Sequence, residues 1–259
     1  MKPFLALFVL TLLSACAVPA PTITASPSPT PSATASPEPS PTVSATASET
    51  PIPLSRVCSP LQDHALADLS KYLTQPLIPP QGENKETGHH GVDFAYYRRD
   101  GVGGHIEGTP IQSVLNGYMA GLGFNQVYGN YLIIETPSEW LPTDLAALYP
   151  VADGESLYLL YAHMQDLAPF EIHEPLDCGQ VIGQVGDSGS TYFVSDPHLH
   201  LETRLGPAGI FIEPMAYYDT QASEEEKAEY LFWRTNETFR LFDPMLLLDY
   251  GAAHKVING

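Results

Sequence analysis

The sequence predicts an all-β domain, built as an antiparallel sheet or sandwich, and three observations favour this class. Short apolar runs of strand length follow one another along the chain; they span 92–98, 110–123, 131–136, 157–163, 180–186 and 198–204. Glycines punctuate these runs, as turns and bulges require; they stand at 117, 121, 123, 129, 179, 183, 186 and 189. The long helical patterns that alternate with strands in an α/β fold do not occur.

Short helices are expected at the periphery of this domain. Residues 64–73 carry apolar side chains at helical spacing. Ser223 and Glu226 have the spacing of a capping box, and acidic residues fill the first turn of the helix that would follow, with Arg234 in its last turn. Because this helix interrupts the β pattern, we expect it to be a peripheral insertion.

The length and charge of the chain limit its partners. It has 259 residues and a formal net charge of −19. The folded part, predicted to span residues 56–259, is long enough to bury a core. Nucleic-acid binding requires a basic surface, so no nucleic-acid partner is expected for this acidic chain.

Residues 1–16 are predicted to be a lipoprotein signal peptide. Lys2 precedes an apolar run over residues 4–13, which has the length of a signal-peptide core and is too short to cross a membrane. The run ends in LSAC, which resembles the lipobox of bacterial lipoproteins. The resemblance implies cleavage before Cys16 and acylation of that residue, so that the protein is lipid-anchored at the extracytoplasmic face of the cell envelope. An ordinary secretory signal with an incidental cysteine is the alternative.

Residues 17–55 are predicted to form a tether. Ten prolines fall within residues 17–54, among many serines, threonines and alanines. A segment of this composition cannot bury a core and stays disordered or in a polyproline II conformation. It would hold the folded domain away from the membrane.

Two further cysteines, Cys58 and Cys178, lie in the predicted domain. In an exported protein a pair of cysteines favours a disulfide. The bond would close a loop of about 120 residues and stabilise the fold by about 4–5 kcal/mol on the chain-entropy model. Two free, buried thiols are the alternative.

Residues 197–202 read PHLHLE, and two histidines in this strand-like run share one face. Side chains at i and i+2 of a strand point the same way, so His198 and His200 can serve one site, either as one metal ligand and one base or as two ligands. Upstream, GHHGVDF places His89 and Asp93 four residues apart, with Gly91 between them to permit a bend. Two imidazoles and one carboxylate leave a fourth position for water, which is typical of a catalytic zinc site.

Taken together and in order, these motifs resemble the zinc peptidases of the LytM/lysostaphin type, peptidase family M23. The resemblance covers about residues 86–204, and the segments that carry it are HHGVDF, GTPIQSVLNGYMAGLGFNQVYGNYLIIE, LYLLYAHM, GQVIGQVGDSGS and PHLHLE, with DPM at 243–245 near the end. It implies that His89, Asp93 and His200 hold one Zn²⁺ per chain and that His163 and His198 assist catalysis. It also implies a small antiparallel β-sandwich with an active-site groove, of the duplicated hybrid motif type, and peptide bonds of bacterial peptidoglycan as substrates.

The chain departs from the family pattern near the first ligand. Some members carry a tyrosine a few residues before it, but here that stretch reads GENKETG. Tyr128 in VYGN is therefore a candidate groove residue only, and His90 competes with His89 as the ligand. The acidic segments 138–154 and 207–239 are expected to be insertions that narrow or regulate the groove.

Parts of the sequence suggest two other functions. GDSGS at 186–190 echoes the nucleophile loop of chymotrypsin-like proteases, but no matching histidine context occurs and the motif reads as an ordinary turn. A non-catalytic envelope scaffold, or an activator of other cell-wall hydrolases, is the stronger alternative. Since both helper histidines and all three ligand positions are present, we expect an active zinc metallopeptidase with peptidoglycan peptides as partners. An activator protein that opens the groove is a further possible partner.

Overall fold

The computed structural model describes residues 56–82, 85–95, 106–189 and 196–254. The predicted signal peptide, including Cys16, and the predicted tether lie outside these residues. Within the described ranges, no helix combines the length and the apolar character needed to span a bilayer.

An antiparallel sheet dominates the described residues, as predicted. Its strands are β1 (Leu73–Gln75), β2 (Val92–Phe94), β4 (Gly117–Asn125), β5 (Gly129–Pro137), β6 (Glu155–Met164), β7 (Pro175–Leu176), β9 (Leu199–Pro207) and β10 (Arg240–Phe242). They lie in the order β1-β2-β9-β6-β5-β4-β7, with β10 paired to the second half of β9. A second sheet contains β3 (Pro110–Gln112) and β8 (Val181–Gln184).

The all-β class is confirmed, and the differences from prediction concern short elements. The run 110–123 is divided between the two sheets, as β3 and β4. The helix expected at 64–73 is a 3₁₀ helix at Leu66–Lys71, and α1 (Thr143–Leu148), α2 (Glu224–Arg234) and α3 (Pro244–Ala253) complete the helices of the described ranges, together with a 3₁₀ turn at Ser138–Trp140. The strands β1, β7 and β10 have only two or three residues each, too few for an apolar pattern to be recognised.

The two faces of the large sheet pack against different clusters of buried side chains. Along β6, Leu157, Leu159 and Tyr161 point into the main apolar core, whereas Tyr158 and Leu160 belong to a second, aromatic-rich cluster. This alternation follows from the period of two in a strand. The sheet is therefore covered on both faces.

The late helix α2 begins as the sequence predicts but is not peripheral. The Ser223 hydroxyl accepts a hydrogen bond from the Glu226 amide at 3.1 Å, and the Glu226 carboxylate accepts one from the Ser223 amide at 2.7 Å. Trp233, however, is fully buried in the aromatic cluster with Tyr230. The expectation of a peripheral helix is wrong because its apolar side covers the second face of the sheet.

The two domain cysteines form a disulfide, Cys58–Cys178, with their α-carbons 5.6 Å apart. It joins the start of the described chain to the loop after β7. The alternative of two free thiols is thereby excluded.

Candidate metal centre

Two neighbouring strands bring the predicted ligands together. Asp93 in β2 and His200 in β9 are directly opposite each other in the antiparallel ladder. His89 precedes β2 and is held by a β-bridge to Ile78. Gly91 lies between the ligands, where a Cβ atom would collide with the carbonyl oxygen of Leu201 and lie 2.9 Å from the His200 ring. Glycine is therefore required at this position for close approach of the two strands.

Three donor atoms converge at this point. The distances are 3.0 Å from His89 Nε2 to Asp93 Oδ1, 3.1 Å from His89 Nε2 to His200 Nδ1, and 2.8 Å from His200 Nδ1 to Asp93 Oδ1. Tetrahedral zinc with bonds of about 2.0–2.1 Å separates its ligand atoms by about 3.3 Å. The three side chains fit such an ion after outward movements of a few tenths of an ångström.

The remaining ring nitrogens of the two ligand histidines form hydrogen bonds on the side away from the metal centre. His89 Nδ1 donates to the carbonyl oxygen of Pro76 at 2.9 Å. His200 Nε2 donates to Oε1 of Glu202 at 3.2 Å. These bonds keep one proton of each ring on the nitrogen remote from the site, so that the opposite nitrogen can present a lone pair to a metal ion once it has lost its own proton.

The charges around the site favour a cation. Burial raises the pKa of Asp93, but hydrogen bonds from His200 and His89 outweigh this effect and hold that pKa well below its usual range. Burial lowers the pKa of His200, but its hydrogen bonds to Asp93 and Glu202 raise it to about 9. Two carboxylates thus stabilise positive charge at this buried position, whether it is carried by a proton or a metal ion.

The two predicted helper histidines face the same cleft. His198 Nδ1 donates to the Asp196 carbonyl at 2.7 Å, and its Nε2 lies 3.8 Å from Asp93 Oδ1. His163 Nδ1 donates to the Ser188 carbonyl at 3.0 Å, and its ring lies 4.4 Å from that of His198, centre to centre. In both residues the bound Nδ1 leaves Nε2 free to accept a proton.

His163 adopts an unusual backbone conformation. Its φ is 59°, a left-handed value that costs a non-glycine residue about 1–3 kcal/mol. The preceding Ala162 packs on the aromatic face of the sheet, so strict alternation would send the His163 side chain to the opposite face. The irregular φ instead directs the imidazole into the cleft.

Both helper histidines are neutral at ordinary pH. Burial, together with His198 and His200, lowers the pKa of His163 to about 3. Burial likewise lowers the pKa of His198. Because a base must be unprotonated to act, these shifts keep both residues ready to accept a proton.

The cleft has a volume of about 180 Å³ and contains more than the predicted residues. Tyr128, the candidate groove residue, lines it, and so do Gln75, Val127 and Arg234, which sequence reasoning did not identify. Arg234 comes from α2, so the segment 207–239 does contribute to the wall of the groove. No sequence motif marks such a residue, because it reaches the site only through tertiary packing.

His90 is directed away from the ligand group. Its Nε2 donates to the Thr87 carbonyl at 3.1 Å, and its Nδ1 accepts from Arg204 at 3.1 Å. Burial, with the charge of Arg234, lowers its pKa to about 4. The geometry therefore favours His89 over its neighbour as the ligand.

Glu202 was also not identified from the sequence. It is fully buried and pairs with the guanidinium of Arg204 at 2.8 Å. Burial raises its pKa, but Arg204 and His200 outweigh this effect and hold the pKa well below its usual range. Its position two residues after His200, on the same face of the strand, was the signal that could have identified it.

The side chain of Ser188 in GDSGS forms hydrogen bonds with backbone groups. Its hydroxyl donates to the Met164 carbonyl at 2.6 Å and accepts from the Asn130 amide at 2.9 Å. His163 contacts its carbonyl oxygen and not its hydroxyl. The motif is a structural turn that orients a histidine, which does not support a serine-protease mechanism.

Comparison with known proteins shows which family this domain is similar to. Residues 87–211 match the model of peptidase family M23. A comparison with curated protein sequences finds no match.

Three solved structures are among those to which this chain is similar. The lysostaphin catalytic domain from Staphylococcus simulans is 23% identical over 55% of this chain and 87% of its own, with a TM-score of 0.37. The catalytic domain of a prophage-encoded M23 protein from Enterococcus faecalis is 23% identical over 53% of this chain and 81% of its own, with a TM-score of 0.35. A zinc-containing peptidase from Vibrio cholerae is 23% identical over 51% of this chain but only 32% of its own, with a TM-score of 0.35.

Proposed function

We propose that this protein is a zinc-dependent endopeptidase that hydrolyses peptide bonds in bacterial cell-wall peptidoglycan. The observation that carries the proposal is the convergence of five side chains on one cleft. Three of them, His89, Asp93 and His200, direct donor atoms at a common point. The other two, His163 and His198, direct free Nε2 atoms into the same cleft.

Zinc is the proposed cofactor, with one ion per chain. Two imidazole nitrogens and one carboxylate oxygen form a donor set that zinc accepts, and a catalytic site retains an open fourth position. When bound, zinc polarises the scissile carbonyl and lowers the pKa of water. Glu202 behind His200 is the type of carboxylate partner that orients such ligands.

The helper histidines are proposed to move the proton during hydrolysis. Water adds to the peptide carbonyl carbon, the carbon–nitrogen bond breaks, and the released amine needs the proton that the water loses. A neutral imidazole with its Nε2 in the cleft can accept that proton and then return it to the amine. The hydrogen bonds from Nδ1 to backbone carbonyls hold both rings in the required orientation.

The substrate and location are proposed from the family match and the N-terminal sequence. The match of residues 87–211 to family M23 supports peptides of peptidoglycan as the substrate class. The lipobox-like LSAC and the proline-rich segment that follows support a lipid-anchored enzyme on the extracytoplasmic face of the envelope, with Cys16 as the anchor. The acidic domain would then reach wall peptides from the membrane surface.

The proposal is tested with the full-length chain in detergent micelles, beside His200→Ala and a matched control, His254→Ala. His254 is an exposed histidine at the end of α3, stacked on Tyr250. Bound zinc is quantified, and new free amino groups are counted after incubation with purified peptidoglycan. We expect about one zinc per chain and amine release from the parent and His254→Ala, and neither from His200→Ala.

Other outcomes separate the alternatives. Bound zinc without amine release from several wall types would favour the non-catalytic scaffold or activator. Absence of zinc and of amine release in the parent would refute the enzyme.

A further inference from the structure

The carboxylate behind the metal centre is saturated with hydrogen bonds. Oε1 of Glu202 accepts from the Tyr128 hydroxyl at 2.7 Å and from His200 Nε2 at 3.2 Å. Oε2 accepts from Arg204 Nε at 2.8 Å and from Trp233 Nε1 at 3.1 Å. A carboxylate offers about four lone-pair directions. Each oxygen thus receives two donors, which leaves the group a single orientation.

Trp233 contacts this carboxylate from an unexpected part of the chain. It lies in the last turn of α2 and is fully buried. Its indole N–H, which can only donate, binds Glu202, while its ring lies 5.1 Å from the guanidinium carbon of Arg204. The same side chain therefore holds both members of the buried ion pair.

From this geometry we propose that Trp233 is a positioning residue of the metal centre. By donating to Oε2 it prevents the Glu202 carboxylate from rotating, and Oε1 then holds the ring of His200 with Nδ1 directed at His89 and Asp93. The proposal deepens the zinc-enzyme function and rests on it only for the metal. It assigns a role in ligand orientation to a helix that enters the fold more than 20 residues after the last predicted ligand.

The competing interpretation is that Trp233 only fills space. Its ring packs edge-on to Tyr158 and tilted against Phe239 in the aromatic cluster, and loss of such a ring destabilises any core. The two interpretations differ in what the N–H group does. A substitution that retains the ring and removes the N–H separates them.

The experiment uses the full-length chain with three changes, each made separately. The first places the tryptophan analogue 3-benzothienylalanine, in which sulfur replaces the ring N–H, at position 233. The second is Trp233→Phe. The control is Tyr158→Phe, because Tyr158 lies in the same cluster and also loses one buried donor, its 2.6 Å bond to the Pro207 carbonyl. Zinc affinity is measured by competition with a fluorescent chelator, and crystal structures of the metal-free proteins are compared.

Loss of the carboxylate partner of a metal-bound histidine costs about 10–100-fold in metal affinity, and the analogue and Trp233→Phe remove one of the four donors that hold this carboxylate, so we expect them to weaken zinc binding by a smaller factor, about three- to tenfold. Tyr158→Phe should change it by less than about twofold. In metal-free crystals of the analogue, the Glu202 carboxylate should be rotated and its contact with His200 Nε2 lengthened beyond hydrogen-bonding distance.

Two results would overturn the proposal. One is unchanged zinc affinity in the analogue with Glu202 and His200 in their parental positions; Trp233 would then act by packing alone. The other is an equal loss of affinity in Tyr158→Phe, which would indicate a general loosening of the cluster. If the parent protein itself binds no zinc, the proposed function fails, and the metal-free crystal structures alone decide whether Trp233 orients His200.

Discussion

Strand β9 has one apolar face and one charged face, and both are buried. Leu199, Leu201 and Leu205 point into the main core. The residues between them include His200 and Glu202, which lie on the opposite face among hydrogen-bond partners. The first face is specified by area removed from water, which is non-directional. The second depends on bonded partners, because an unpaired buried charge is costly.

The difference explains how this fold combines stability with a reactive site. The apolar core tolerates some change in shape as long as volume is retained. The charged face tolerates few substitutions, since each polar group there forms hydrogen bonds that its neighbours need. We therefore expect substitutions on the two faces of the same strand to have comparable effects on stability, while only those on the charged face weaken zinc binding.

The largest loss of stability is expected from two separate substitutions at adjacent residues. Glu202→Ala leaves Arg204, Trp233 and His200 without their buried acceptor and should cost about 3–5 kcal/mol of unfolding free energy. Leu201→Ala should cost about 2–5 kcal/mol through lost burial and the cavity it leaves. Urea unfolding measures both values.

Zinc binding then separates these two variants. Glu202→Ala should weaken zinc affinity at least tenfold, whereas the folded fraction of Leu201→Ala should bind zinc within about threefold of the parent. Equal loss in both variants would show that the two faces are not independent.

The disulfide is expected to have the next largest effect, and one confined to stability. Replacing Cys58 and Cys178 together by serine opens a loop with a sequence separation of 120 residues and should cost about 2–5 kcal/mol. Because neither residue lines the cleft, the zinc affinity of the folded protein should not change. Thermal unfolding combined with chelator competition tests this, and a tenfold loss of zinc affinity would contradict it.

Of the two faces of β9, only the charged one is expected to make the stability of the metal-free protein and its zinc affinity depend on pH. In the metal-free protein the pKa of His200 is raised to about 9, above its unfolded value of about 6.5. The resulting stabilisation is complete below pH of about 6.5 and is lost as pH rises through 9. Zinc must displace this proton, so its affinity should rise about tenfold per pH unit between those values and then level off.

Metal-binding measurements at pH 7, 8, 9 and 10 test this dependence. Leu201→Ala serves as the control and should have the same slope, because Leu201 faces the apolar core. A zinc affinity independent of pH across this range would mean that His200 carries no proton in the metal-free site.

The smallest effect is expected at the start of α2. Ser223→Ala removes the side-chain acceptor of the capping box and should cost about 1 kcal/mol. If α2 orients the metal ligand through Trp233, a small loss of zinc affinity should accompany the loss of stability. Ser59→Ala, at a serine whose hydroxyl also accepts from a backbone amide, that of Leu61, and which does not line the cleft, is a matched control that should leave zinc affinity unchanged.

Several features of the site could be predicted because they depend on short-range geometry. The period of two in a strand places His198 and His200 on one face whatever surrounds them. The capping-box spacing likewise predicts the start of α2, which the structure confirms. The disulfide was favoured by the number of cysteines and their expected compartment. In each case the relevant partners are few or close in sequence.

Other features could not be predicted because they depend on distant segments. Alternation shows that Glu202 and Arg204 lie on one face of β9, but not whether water or protein covers that face. The cover comes from Trp233 and Tyr230 in α2, which a local reading places at the periphery. The strands β1 and β10 were missed for a related reason, since pairing with β2 and β9 stabilises segments too short to carry a pattern.

The sequence by itself determined the all-β class and the cap of the late helix, and it placed His198 and His200 on one face of a strand. Period-two alternation and capping are local properties of the chain, which explains why these features could be predicted, whereas the full set of five candidate site positions rested on the resemblance to family M23. Only the tertiary structure decided that the polar face of β9 is buried, that His163 turns into the cleft, and that Trp233 lies behind His200. Those outcomes depend on which distant side chains complete each other's hydrogen bonds, and local sequence does not encode that choice.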